Sequence, residues 1–273
     1  MKTMALTMLC VLAAAPPDVR AEPPSADAVD RLTLPEGRFV IDAFLEMNLR
    51  SDEVFKPFSI APDLWYGVTD ALTLGLVHSF DGATGFVGGV GDSLCLTGRD
   101  NGCPHVYDNV GVDVRYRLME GGFALAADGG LFFRSFDPVQ LALKLGVAGR
   151  WHRDQLAVEL EPALFVGLTN RSRDVSVGFT TVSVTTNGDS LSVPVTGLYS
   201  VTPSVALAVQ LGLVLPFQDT GDTYSVPLSI GVHLRATEQL NLFAAFSLTR
   251  LIGGGDAGAF DNRSVTIGGS YAL

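Results

Sequence analysis

The side chains able to do chemistry are few in this chain and widely spaced. There are four histidines, His78, His105, His152 and His233. His78 sits near one end of an alternating apolar segment, and His105 follows a cysteine-bounded stretch. His152 lies in a short turn beside Trp151, and His233 falls two positions before Arg235. A hydrolytic Ser–His pair needs the hydroxyl within hydrogen-bond reach of the imidazole. Ser229 shares a strand face with His233, but that spacing separates them by roughly 13 Å. A serine on a neighbouring strand stays open as an alternative. No catalytic residue is assigned, and the chain reads as a non-enzyme.

Cys95 and Cys103 bracket a Gly- and Asp-bearing stretch, Leu96 to Gly102. They form an even pair in an exported chain, which predicts one disulfide. With His105 alone beside them they fall short of a closed zinc site. Gly88 to Gly91 and Gly253 to Gly255 are not followed by Lys-Ser/Thr and a helix, so neither is a phosphate loop. No metal and no cofactor is expected.

The remaining candidates are charges set at alternate positions of apolar segments: Asp42, Glu46, Asp113, Arg115, Asp128, Arg134, Lys144, Arg150, Glu159 and Glu161. The elements that would position them are strands. In 39–50 one face carries Phe39, Ile41, Ala43, Leu45, Met47 and Leu49, and the other carries Asp42, Glu46, Asn48 and Arg50. Period two places these sets on opposite faces. Val110 to Leu118, Val139 to Ala148, Leu156 to Gly167, Val205 to Pro216 and Tyr224 to Arg235 repeat the device. These segments run about 10–13 residues, against about 5–6 for soluble strands and 9–11 for tilted membrane strands. The polar face is mostly Gly, Ala, Ser and Thr, which suits a crowded or water-filled interior.

Composition agrees. Hydrophobic residues make up 47% and charged residues 17% of the 273 residues, below the usual charged share of about 25%. No apolar run is long enough for a spanning helix, which needs about 18 residues. Thirty glycines and 14 prolines punctuate the chain, as many short strands require. The net charge of -11 excludes nucleic acid as a partner, since phosphate binding needs clustered Lys and Arg.

Residues 1–21 read as a secretory signal: Lys2, an apolar stretch from Met4 to Ala15, and a small residue at Ala21 for cleavage. Residues 22–38 read as a mobile periplasmic lead. From Phe39 to the end, short turns alternate with mostly longer polar links, and twelve strands result. That layout predicts an all-β fold, a closed antiparallel up-and-down transmembrane barrel. Val175 to Val193 is ambiguous. It holds Asn187-Gly188, a hairpin turn signal, and predicts a projecting β-ribbon; counted as a spanning hairpin it makes fourteen strands. A soluble secreted β-protein is the main alternative fold. The loop acids, among them Asp52, Glu53, Asp81, Asp92, Asp100, Asp108, Asp219, Asp222, Asp256 and Asp261, lack calcium-loop spacing and read as solvated surface.

The turn Trp65 to Asp70, followed by Leu72-Thr73-Leu74-Gly75-Leu76, resembles turns of Gram-negative outer-membrane barrels of the transporter, porin-like type. The general resemblance covers 39–273. Such barrels often end in an aromatic residue; here the last residue is Leu273, with Tyr271 two before it. The resemblance implies outer-membrane lipid and lipopolysaccharide as surroundings and passive transport of small polar solutes or ions. The inward charges then have two readings: a charged constriction in a pore, or a salt-bridge network plugging a structural or adhesive barrel.

Overall fold

The computed structural model describes residues 32–50, 54–79, 93–103, 105–177, 180–218, 220–254 and 263–273. The expected export signal, the lead up to residue 31, the run Gly88 to Gly91 and the loop acids Asp52, Glu53, Asp81, Asp92, Asp219, Asp256 and Asp261 lie outside the described residues.

The strands are β1 (Phe39–Asn48), β2 (Phe58–Thr69), β3 (Leu72–Val77), β4 (Leu94–Cys95), β5 (Val110–Met119), β6 (Phe123–Phe136), β7 (Val139–Arg153), β8 (Leu156–Leu160) and β9 (Ala163–Gly167). They continue with β10 (Ser172–Val177), β11 (Thr180–Thr185), β12 (Ser190–Ser192), β13 (Val195–Thr202), β14 (Val205–Leu211), β15 (Val214–Pro216), β16 (Ser225–Arg235), β17 (Leu240–Gly253) and β18 (Arg263–Ala272). Three spanning strands come in two pieces each: β8 with β9, β12 with β13, and β14 with β15. The first two breaks fall at Pro162 and Pro194, where proline has no N–H to give the ladder. Counted this way, twelve antiparallel strands follow one another around the wall. The pairing of β1 with β18, from Val40 opposite Ala272 to Asn48 opposite Ser264, closes the barrel. Closure satisfies every edge, as hydrocarbon surroundings demand.

The two faces follow the alternation. On β5, Val112, Tyr116 and Leu118 are exposed outward, while Gly111 and Asp113 are buried inward. On β7, Leu145 and Val147 face out while Ala142, Lys144, Ala148 and Arg150 are buried inside. A ring of exposed aromatics, Tyr66, Tyr116, Phe123, Trp151, Tyr199 and Tyr271, marks the short-turn end of the outer face. Amphipathic rings of this kind sit at the headgroup level of a bilayer. The Tyr199 hydroxyl donates to Gln155 in a turn, 3.0 Å away, so its polar tip leaves the apolar band.

Above the opposite end, Cys95 and Cys103 form the expected disulfide. His78 is buried at the top of β3 and is a packing residue. Its Nδ1 donates to the Pro62 carbonyl, which leaves Nε2 to accept from the Tyr107 hydroxyl at 2.9 Å.

The ribbon exists, but its turn is not where the Asn-Gly signal places it. β10 and β11 pair as a separate two-stranded sheet, Ser172 opposite Thr185 and Val177 opposite Thr180. The ribbon therefore reverses between Val177 and Thr180, well before Asn187. Asn187 is buried instead, its Nδ2 donating to the carbonyls of Leu141 and Thr169. A buried amide with three bonded groups is worth more than a local turn preference. Residues 190–192 then join the barrel wall as β12, between β9 and β15.

The last seven residues of the expected lead are also different from a mobile segment. Leu32 packs against Ala126 and Ala148, both on the inner face of β6 and β7. Leu34 N donates to Thr73 Oγ1 at 2.7 Å, Glu36 N to Asp70 Oδ1 at 3.0 Å, and Gly37 N to Gly67 O at 2.8 Å. The segment crosses the inner wall at the short-turn end, from β6 and β7 to β2 and β3. Gly67 makes room for it: a Cβ there would lie 1.9 Å from the Pro35 carbonyl oxygen.

Candidate functional site

The lumen is the site. Its charges arise from strand register. Asp113 and Arg115 are inward neighbours on β5, and Arg115 stands opposite Asp128 of β6. Lys144 of β7 stands opposite Gly130 of β6, which opens room for its side chain to reach both carboxylates. Lys144 Nζ lies 2.9 Å from Asp113 Oδ2 and 2.8 Å from Asp128 Oδ2. Arg115 reaches Glu161 Oε1 at 3.3 Å and stacks its guanidinium over Trp65, 5.1 Å from the ring centre. Arg150 and Glu159, cross-strand neighbours on β7 and β8, pair at 2.9 Å. These contacts join β2, β5, β6, β7 and β8 into one charged wall.

The wall beside it, from β2 through β1, is different. Asp42 of β1 stands directly opposite Asp63 of β2 and opposite Ser270 of β18. Asp63 accepts from the backbone N–H groups of His78 and Ser79 and from the Ser79 hydroxyl. Farther round, several inward residues are neutral. Ser229 and Ser247 share a 2.9 Å hydrogen bond, and Gln210 donates to Thr196. Phe44 and Phe243 pack together with ring centres 5.3 Å apart. Both lie opposite Gly268, where a Cβ would fall 2.4 Å from the Phe243 ring. His233 stacks on Phe243, while the Ser229 hydroxyl considered beside it is engaged by Ser247.

Of the ten charges singled out by alternation, the structure brings Asp113, Arg115, Asp128, Lys144 and Glu161 into one cluster and sets Arg150 with Glu159 beside it. Asp42 lies next to them on β1, hydrogen-bonded to Trp65, whose ring carries Arg115. Glu46 stands apart, 4% exposed, with Oε1 accepting from Ser264. Arg134 lies toward the long-loop end, bonded to Asn187 and Gly188 and resting on Phe165. Asp63 is the residue that the sequence reading missed. Its signal is the alternation of Ser59, Ala61, Asp63, Trp65 and Gly67 against Phe58, Ile60, Pro62, Leu64 and Tyr66.

A cavity of about 310 Å³ lies between the two walls, bordered by Asp42, Asp63, Trp65, Arg115, Lys144 and Glu161 among others. A second cavity, about 480 Å³, opens at the short-turn end between β7 and β17. Leu198 and His233 border both. The crossing segment at 32–37 lies on the opposite side, so the open space is eccentric. Among the described residues no group of three or more His, Cys, Asp or Glu could hold a metal ion.

No family model matches the chain, and no curated protein matches it. Solved structures do. The NanC porin aligns over 85% of this chain and 100% of its own with a TM-score of 0.57 at 11% identity. A KdgM porin in complex with disordered oligogalacturonate aligns over 86% of this chain and 99% of its own, TM-score 0.52, 10% identity. An outer-membrane channel from Pseudomonas putida F1 aligns over 93% and 100%, TM-score 0.52, 14% identity. At these identities the likeness is one of fold, and the fold is that of outer-membrane channel barrels.

Proposed function

We propose that the chain is an outer-membrane channel for the passive movement of small polar solutes or ions, working without chemistry on them. The observation that carries this reading is the pair of cavities, bordered in common by Leu198 and His233, inside a barrel whose outer face is apolar and whose inner face is polar. A charge on the lipid face near the bilayer midplane costs about 2–4 kcal/mol for Arg or Lys, whereas one in the lumen can pair or meet water. The surroundings are outer-membrane lipid and lipopolysaccharide, with the short turns in the periplasm and an export signal at 1–21 removed. The oligogalacturonate named with the KdgM porin does not carry over readily. It is a polyanion, and carboxylates outnumber cations around the charged cavity here.

The test is single-channel recording of refolded mature protein in planar bilayers, after heat-modifiable migration on a gel confirms folding. Discrete conductance steps are expected. Folded protein without steps would instead support a plugged structural or adhesive barrel. Two observations favour that second reading: the segment 32–37 against the inner wall, and the Lys144 ion pairs spanning three strands.

A further inference from the structure

The proposal concerns which solutes pass, and it rests on the channel reading above. The charged cavity is bordered by five carboxylates, Asp42, Asp63, Asp113, Glu159 and Glu161. Only two cations border it, Arg115 and Lys144, and both are engaged. Lys144 sits between Asp113 and Asp128, and Arg115 against Glu161 and Trp65. The cation next to Glu159 is Arg150. Even with Arg150 included, the carboxylates of this wall exceed its cations once Asp128 is counted with them.

The excess falls on one side. Asp42 and Asp63 stand opposite each other, and neither forms a short ion pair: Asp42 is hydrogen-bonded to Ser270 and Trp65, with Arg115 acting on it only from beyond the Trp65 ring. Asp63 is held by three hydrogen bonds, to the backbone N–H groups of His78 and Ser79 and to the Ser79 hydroxyl. Glu46, on the inner face of β1 beyond Asp42, borders neither cavity. It is nine-tenths buried, and its Oε2 has no hydrogen-bond partner among the described residues. The wider cavity at the short-turn end does not reverse the balance, since Arg150 and Arg235 there are accompanied by Asp154. The positive charge is thus held in pairs while negative charge faces the open space. An ion crossing this region meets a field that favours cations.

We infer that the lumen selects small cations over anions, and that Asp42 is a residue that sets this selectivity. Asp42 borders the cavity without belonging to the paired wall, so its neutralisation leaves the ion-pair network in place.

The experiment is the reversal potential of the refolded mature protein in a KCl gradient across neutral-lipid bilayers, at low salt where the Debye length is about 30 Å. A K⁺ over Cl⁻ permeability ratio above unity is expected for the native chain. Asp42→Asn should lower that ratio about three-fold, the effect of one unit charge a few ångström from the ion path in water. Glu46→Gln, farther from the cavity, should lower it less. A native channel that prefers Cl⁻ or shows no preference overturns the proposal and leaves the channel reading standing. A cation preference that Asp42→Asn leaves unchanged overturns the assignment to this residue. Absence of any conductance removes the channel reading itself.

Discussion

Lys144→Met should destabilise the folded barrel by about 3–5 kcal/mol, the usual loss when one partner of a buried ion pair is removed. The physical reason is the company that Lys144 keeps. Its side chain is 10% exposed, and those of Asp113 and Asp128 are 2% and 1% exposed. The substitution leaves two buried carboxylates near one another. Asp128 retains a distant approach from Arg115 at 3.9 Å, and Asp113 retains no other short ion pair among the described residues. Combining Lys144→Met with Asp113→Asn removes the orphaned charge and should restore part of the loss. Guanidinium unfolding of the protein in lipid vesicles, followed by tryptophan fluorescence, measures both. A cost under about 1 kcal/mol, the range of solvent-exposed pairs, would show that water reaches these carboxylates freely and that the wall is not a dry network.

The second large effect concerns the crossing segment. Gly67→Val should expel residues 32–37 from the inner wall, because a Cβ at that position lies 1.9 Å from the Pro35 carbonyl oxygen and 2.8 Å from its carbon. Backbone atoms cannot yield as a flexible side chain can. The segment has little surplus to resist with. Its hydrogen bonds to Gly67, Asp70 and Thr73 contribute about 1 kcal/mol each, and burial of Leu32 adds about 2 kcal/mol. The conformational entropy of ordering its backbone opposes these gains. Release should widen the lumen on that side by about 5 Å, one strand spacing. Single-channel conductance should rise, and Arg38 should become a site of rapid tryptic cleavage. Deleting residues 22–36 should give the same rise in conductance. Equal conductance in the native protein, Gly67→Val and the deletion would show that the segment does not narrow the path.

Much of this architecture was legible in residue order. Period-two alternation assigns the inward and outward faces of β1, β5, β7, β8, β9, β14 and β16, because a strand offers only two sides. Segment length separates a membrane wall from a soluble sheet, since tilted strands must cross a fixed hydrocarbon thickness. Alternating short and long connections yield twelve strands. The cysteine pair is local enough to be read from eight residues of separation.

Other features were settled by contacts between residues far apart in the chain. Alternation places Asp113, Asp128 and Lys144 inside, but only the register of β5, β6 and β7 makes Lys144 serve both acids. Register depends on the whole closed wall, which no single segment contains. Asn187-Gly188 carries a strong local turn preference, and buried carbonyls at Leu141 and Thr169 outweigh it. Residues 32–37 belong to a proline-bearing lead without alternation, yet small inward residues at Gly67, Thr73, Ala126 and Ala148 leave a berth for them. That berth is assembled from four strands. Sequence alone determines which face each side chain takes, because that is a property of one strand. The tertiary structure decides which charges meet, which stay unpaired and what crosses the lumen, because those are properties of the closed barrel.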